Sequence, residues 1–88
     1  MIHYEHVRAV NLKEASRITG IDTGTLKRHI DKGILEAEQR GKGCRYCINL
    51  IELEGYMNYI YTHTNGIRMY NPADFNERRD FVLYGIWP

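Results

Sequence analysis

Cys44 and Cys47 stand three residues apart in "CRYC", a spacing at which two thiolates can approach one zinc ion. Two ligands do not close a tetrahedral site, no second cysteine pair exists, and only His3 and His6 remain as completing ligands. In a strand, a spacing of three sends the side chains to opposite faces, so the plainer expectation is two reduced cysteines and no metal. A thioredoxin-type redox pair sits at a helix start, and this one does not. The histidines His3, His6, His29 and His63 are scattered. No serine or cysteine nucleophile stands in a recognisable constellation with them, and no glycine-rich loop follows a strand to cradle a phosphate. His29 falls on the inner side of a helix, where packing is its expected role. His6 and His63 find no role. The expectation is a protein that is not an enzyme and needs no cofactor.

The remaining side chains with chemical reach are cations. Arg40, Lys42 and Arg45 fall between Gln39 and Tyr46 with no acid among them, and Lys27, Arg28 and Lys32 come shortly before. Most acids sit elsewhere, at Glu5, Glu14, Glu52, Glu54 and in the tail. The net charge of +1 is small for a nucleic-acid binder, yet a local basic stripe steers a polyanion even on a near-neutral chain. Arg28 can place both arms of its guanidinium on guanine, a contact that discriminates by about 1–3 kcal/mol. Lys27, Lys42 and Arg45 suit phosphates, which position a protein without specifying sequence. For each cation taken alone, the alternative is a solvated surface charge.

Capped helices must position these groups. Asn11 opens the first, with Glu14 at the capping-box spacing; Leu12, Ala15 and Ile18 form its apolar face, and Gly20 ends it. Asp22 caps the second only two residues later. Ile21 and Leu26 are placed to staple its start, Leu26 and Ile30 face inward, and Gly33 stops it. Gly24, Lys27, Arg28, Asp31 and Lys32 spread over the opposite side. Gly24 costs helix propensity; either a close approach of DNA to the backbone or the tolerance of a first-turn glycine accounts for it. Two short helices joined by a few residues including glycine is the helix-turn-helix arrangement.

After Gly33 the apolar period changes. Ile34, Leu35 and Ala37 on one arm and Cys44, Tyr46 and Ile48 on the other flank "GKG", as in a β-hairpin. Tyr46 and Ile48 are expected to face the core, with Arg45 and Cys47 facing away. A third helix starts near Asn49, carries Leu53, Met57 and Ile60 at helical spacing, and ends by about Tyr61. Beyond it, Asn71 and Pro72 can open another helix; the pattern leaves Phe81, Val82 and Tyr84 either helical or extended. Eight of the ten aromatic residues lie from Tyr56 onward, too dense for a solvated tail. The chain therefore reads as a domain over residues 1–61 with an aromatic extension over 62–88. The extension either packs back on the domain or pairs with a second chain through Tyr70, Phe75, Phe81, Tyr84 and Trp87. With 88 residues, 43% of them hydrophobic, no long apolar run and no secretory-type N-terminus, the expectation is one cytoplasmic domain with no membrane segment.

"NLKEASRITGIDTGTLKRHIDKGIL" and "RGKGCRYCINLIELEGYM", in that order, resemble the opening helices, wing and acidic-apolar third helix of the MerR-like and excisionase-type winged helix-turn-helix domains. The resemblance covers roughly residues 10–61. It implies a mainly α fold with a small β-hairpin (α+β) and sequence-specific binding of double-stranded DNA. Such a module serves a small transcription regulator, or an excisionase-like accessory protein of a phage, plasmid or mobile element. It implies that the second helix enters the major groove through Thr23, Gly24, Thr25, Lys27 and Arg28. The wing residues Arg40, Lys42 and Arg45 then follow the backbone or the adjacent minor groove. One small module makes few contacts, so a homodimer or tandem assembly on DNA is expected. The competing expectation is an adaptor that uses the same fold to hold another regulator or enzyme.

Overall fold

Asn11 shows how directly the sequence sets local structure. Its side chain accepts from the Glu14 amide at 2.8 Å while Glu14 accepts from the Asn11 amide at 3.1 Å, closing the capping box at the head of a helix. The computed structural model describes residues 9–39, 46–66 and 68–85. Over these, the order is β1 (Ala9–Val10), α1 (Leu12–Thr19), α2 (Thr23–Asp31), β2 (Glu38–Gln39), β3 (Tyr46–Asn49), α3 (Leu50–Thr64), a 3-10 turn (Pro72–Asp74) and α4 (Phe75–Tyr84). The fold is mainly helical with a small antiparallel sheet, as expected of an α+β chain.

Both stops of the first helix pair follow from glycine. Gly20 takes φ +79° and gives its N–H to the Ser16 carbonyl, ending α1. At the end of α2, Gly33 N–H donates to the Ile30 carbonyl and Ile34 N–H to the His29 carbonyl, the paired bonds of a Schellman stop. α1 and α2 are thus joined by Gly20, Ile21 and Asp22 alone. Ile21 and Leu26 are both buried, consistent with the expected staple.

Strand order is β1-β3-β2, antiparallel throughout. β2 and β3 pair with Glu38 opposite Cys47 and Gln39 opposite Tyr46, giving the base of the expected hairpin. The tip, residues 40–45, lies outside the described residues, and with it Arg40, Lys42, Cys44 and Arg45. β1 was not among the expected elements. Two residues are too few for an alternation signal, and its pairing of Val10 with Ile48 is made only in the folded chain. Side-chain alternation on β3 is softer than expected: Ile48 is fully buried, but Tyr46 and Cys47 are both half-buried. Ile34, expected to add to the apolar arm, is exposed, while Leu35 is buried.

α3 runs to Thr64, beyond the expected end at Tyr61. The hydroxyls of Thr62 and Thr64 donate back to the Asn58 and Ile60 carbonyls, and His63 Nδ1 donates to the Tyr59 carbonyl at 2.8 Å, so the last turn satisfies itself. Asn65, at φ +59°, then ends the helix. His63 also stacks on Tyr59, with ring centroids 4.0 Å apart. This gives His63 a structural role that the sequence did not suggest.

The expected boundary between residues 61 and 62 therefore falls inside a helix, and the extension beyond it joins the same core. Phe75 is buried in one cluster with Ala15 and Ile18 of α1, Leu26 of α2 and Leu53 and Met57 of α3. α4 packs on α1, with Val82 and Leu83 against the core. The Tyr70 N–H donates to the Thr19 carbonyl at 2.8 Å, tying the extension to the end of α1. Phe75 is thus corrected from dimerisation candidate to core residue, because its ring is already enclosed by its own chain. Tyr70 and Phe81 remain partly exposed, Tyr84 is half-buried, and Trp87 lies outside the described residues. The Arg78 guanidinium lies 3.8 Å from the centroid of the Tyr70 ring.

Candidate nucleic-acid interface

Asp22 caps α2 by accepting from the Thr25 amide through Oδ2 at 2.9 Å. The same carboxylate accepts from the Thr25 hydroxyl through Oδ1 at 2.7 Å, and that hydroxyl in turn accepts from Arg28 Nη2 at 3.1 Å. Residues three apart lie on one helix face, so the three side chains form a line up the first two turns. The two Thr25 bonds hold the Asp22 carboxyl below its ordinary range, and the nearby Arg28 charge adds to the effect.

This arrangement separates the candidates on α2. Thr23, Gly24, Lys27 and Arg28 are exposed to solvent, as expected of a face that meets a partner. Among the described residues, the C-terminal segment through residue 85 leaves Lys27 and Arg28 exposed. Thr25 is half-buried, and its hydroxyl is committed to Asp22 and Arg28. It serves to position its neighbours. Gly24 has a local reason as well, since a Cβ there would meet Asp22 Oδ2 at 3.2 Å. The small residue leaves room for the capping carboxylate, an explanation additional to the two offered by the sequence.

The surroundings differ at the two ends of α2. Its start lines a cleft of about 350 Å³ with Ile60 and Thr64 of α3 and with Arg68, whose backbone takes φ +64°. Ile30 near its end and Gly33 just past it line a wider groove with Leu35, Glu38 and Cys47 at the hairpin base. Arg68 was missed by sequence reasoning. Nothing local marks it, because the turn after α3 brings it to α2. Lys13 and Arg17 of α1 are exposed as well. Among the described residues no group of His, Cys, Asp and Glu is placed to hold a metal ion. Among them, too, no helix is long and apolar enough to cross a membrane.

His29 holds α2 against α3. Its Nδ1 and the Tyr56 hydroxyl are hydrogen-bonded at 2.5 Å, and the two rings meet edge to face. Burial pushes the Tyr56 phenol up to about 12, with the Asp22 charge adding. Burial also lowers the His29 imidazole from 6.5, helped by the cations Lys32 and Arg28. A histidine held neutral takes its proton less readily in the folded chain than in the unfolded one. Its contribution is therefore complete above pH 6.5 and is lost as pH falls below that value. The raised Tyr56 acts at the other limit, losing its contribution as pH rises from 10 toward about 12. Urea midpoints should fall between neutral pH and about pH 5, and this acid slope should flatten in His29→Gln. An equal slope in both chains would remove His29 from the account.

No protein-family model, curated protein or solved structure matches the chain.

Proposed function

We propose that the chain binds double-stranded DNA in a sequence-specific manner and without catalysis, α2 entering the major groove and the cationic hairpin tip following the backbone or the minor groove. The observation that carries this reading is the exposed face of α2. Lys27 and Arg28 stand on it clear of the rest of the described chain, and α2 itself is braced by a short turn, by the buried Leu26 and by the His29–Tyr56 bond. Lys27 and the hairpin cations Arg40, Lys42 and Arg45 supply phosphate contacts, and Arg28 reads a base. The resemblance to MerR-like and excisionase-type domains supports the same assignment. It makes the protein a small transcription regulator or a mobile-element accessory factor, acting as a homodimer or in tandem on neighbouring sites.

The alternative is a protein-binding adaptor. The exposed apolar residues Ile51 and Tyr59 on the solvent side of α3 favour it, as does the net charge of +1.

A binding selection from genomic fragments, run at two salt concentrations with the intact chain and with Arg28→Ala, separates the readings. DNA binding is expected to weaken steeply with salt, because about 0.9 counterions leave per phosphate neutralised. Arg28→Ala should abolish the sequence preference while leaving weak, salt-sensitive binding. Uniform weakening across sequences would reduce Arg28 to a backbone contact. No enrichment at either salt would favour the adaptor.

A further inference from the structure

Asp22, Thr25 and Arg28 place an acceptor and a donor side by side on the solvent face of α2. Asp22 is an anion at the helix start, and it opposes a phosphate there even though the first-turn amides attract one. Arg28 stands two turns on and offers a planar donor fork. Both are exposed, and the Thr25 hydroxyl links them by donating to Asp22 Oδ1 and accepting from Arg28 Nη2. Donation to the carboxylate fixes the direction of the hydroxyl proton and turns the oxygen lone pairs toward Arg28. One guanidinium amino group is thereby held, and each carboxylate oxygen keeps a lone pair for a further donor.

In the major groove, a guanine edge presents the two acceptors O6 and N7, and its partner cytosine presents the N4 amino donor. An arginine fork fits the first and a carboxylate fits the second. We infer that the linked Asp22–Thr25–Arg28 line reads one G·C pair. In this reading Arg28 donates to guanine, Asp22 accepts from cytosine N4, and Thr25 is the positioning residue that holds both. The inference rests on the proposed DNA-binding function and deepens it. A tethered arginine surrenders less side-chain freedom on binding than a free one, so more of the contact survives as discrimination. The near-cancelling charges of Asp22 and Arg28 also fit a chain of net charge +1: this part of the face recognises a base pair, and phosphate attraction falls to Lys27 and the hairpin.

The test is a selection from a randomised duplex pool with the full chain, followed by affinity measurements on the selected site and on its single-base-pair variants. The intact chain should prefer G·C at one position by about tenfold or more. Thr25→Val removes the hydroxyl at nearly constant volume and should erase most of that preference. Thr25→Ser restores the hydroxyl and should restore the preference. In an Arg28→Ala background, Thr25→Val should remove only the smaller share of the preference that Asp22 carries, so the two effects are less than additive, an outcome that a merely structural threonine would not give. If Thr25→Val loses its helical circular-dichroism signal, Thr25→Ala takes its place. A selected site whose G·C preference survives both threonine variants overturns the inference and leaves DNA binding standing. A pool from which the intact chain selects nothing overturns the DNA-binding function, and the inference with it.

Discussion

Phe75→Ala is expected to destabilise the protein by about 3–5 kcal/mol, the usual cost of emptying a buried aromatic site. A domain of this size has about 5–15 kcal/mol in total, so the variant loses a large fraction of its margin and should melt well below the intact chain. The reason is position as much as size. Phe75 is 3% exposed and stands where the 3-10 turn passes into α4, in a cluster drawn from α1, α2 and α3. The 3-10 turn packs on α3 and α4 packs on α1, so the ring is where the extension joins the rest of the core. Urea denaturation followed by circular dichroism measures the loss. Phe81→Ala on the same helix is the control: that ring is 41% exposed, and its loss should cost far less. A Phe75→Ala loss below about 1 kcal/mol would mean that residues beyond α3 are dispensable to the fold, and the extension would again be free to pair with a second chain.

Gly20→Ala should cost about 2–4 kcal/mol through two separate effects. At φ +79° an alanine enters the left-handed region, at about 1–2 kcal/mol. Its Cβ would also stand 3.0 Å from the Tyr70 backbone nitrogen and 3.2 Å from Met69 Cα. Those are main-chain atoms, which no rotamer change can move aside. The displaced strand of chain is the one whose Tyr70 N–H caps the Thr19 carbonyl, so that bond is strained as well. Gly33→Ala isolates the first effect, because Gly33 has φ +78° but open space around its Cβ position. It should cost only that first term, about 1–2 kcal/mol. Melting curves of the two variants read the difference directly. Equal losses would show that the Met69–Tyr70 segment yields without cost.

The caps, the starts of α1, α2 and α3, the stops at Gly20 and Gly33 and the second hairpin arm, β3, were legible in the sequence, whereas the first arm pairs only at Glu38–Gln39 and not over the expected residues 34–37. Each depends on partners within a few residues, as with Asn11 and Glu14, Asp22 and Thr25, or Gly33 and Ile30. The exposure of Lys27 and Arg28 was legible for the same reason, since the inward positions Leu26 and Ile30 fix the opposite face of a helix. The Thr25 link to Arg28 is just as short in sequence. It still escaped notice, because side-chain rotamers and the orientation of a hydroxyl decide it.

What only the tertiary structure decided joins distant residues. Val10 pairs with Ile48, the Tyr70 amide closes the end of α1, His29 meets Tyr56, Arg68 lines a common cleft with the start of α2, and Phe75 enters the common core. Periodicity shows that a residue is apolar and which side of its own element it occupies. It does not show which other element will cover that side, because the choice is made by the whole chain as it removes apolar surface from water. The aromatic extension was therefore equally consistent with folding back or with pairing to a second chain until the burial of Phe75 distinguished the two for that residue.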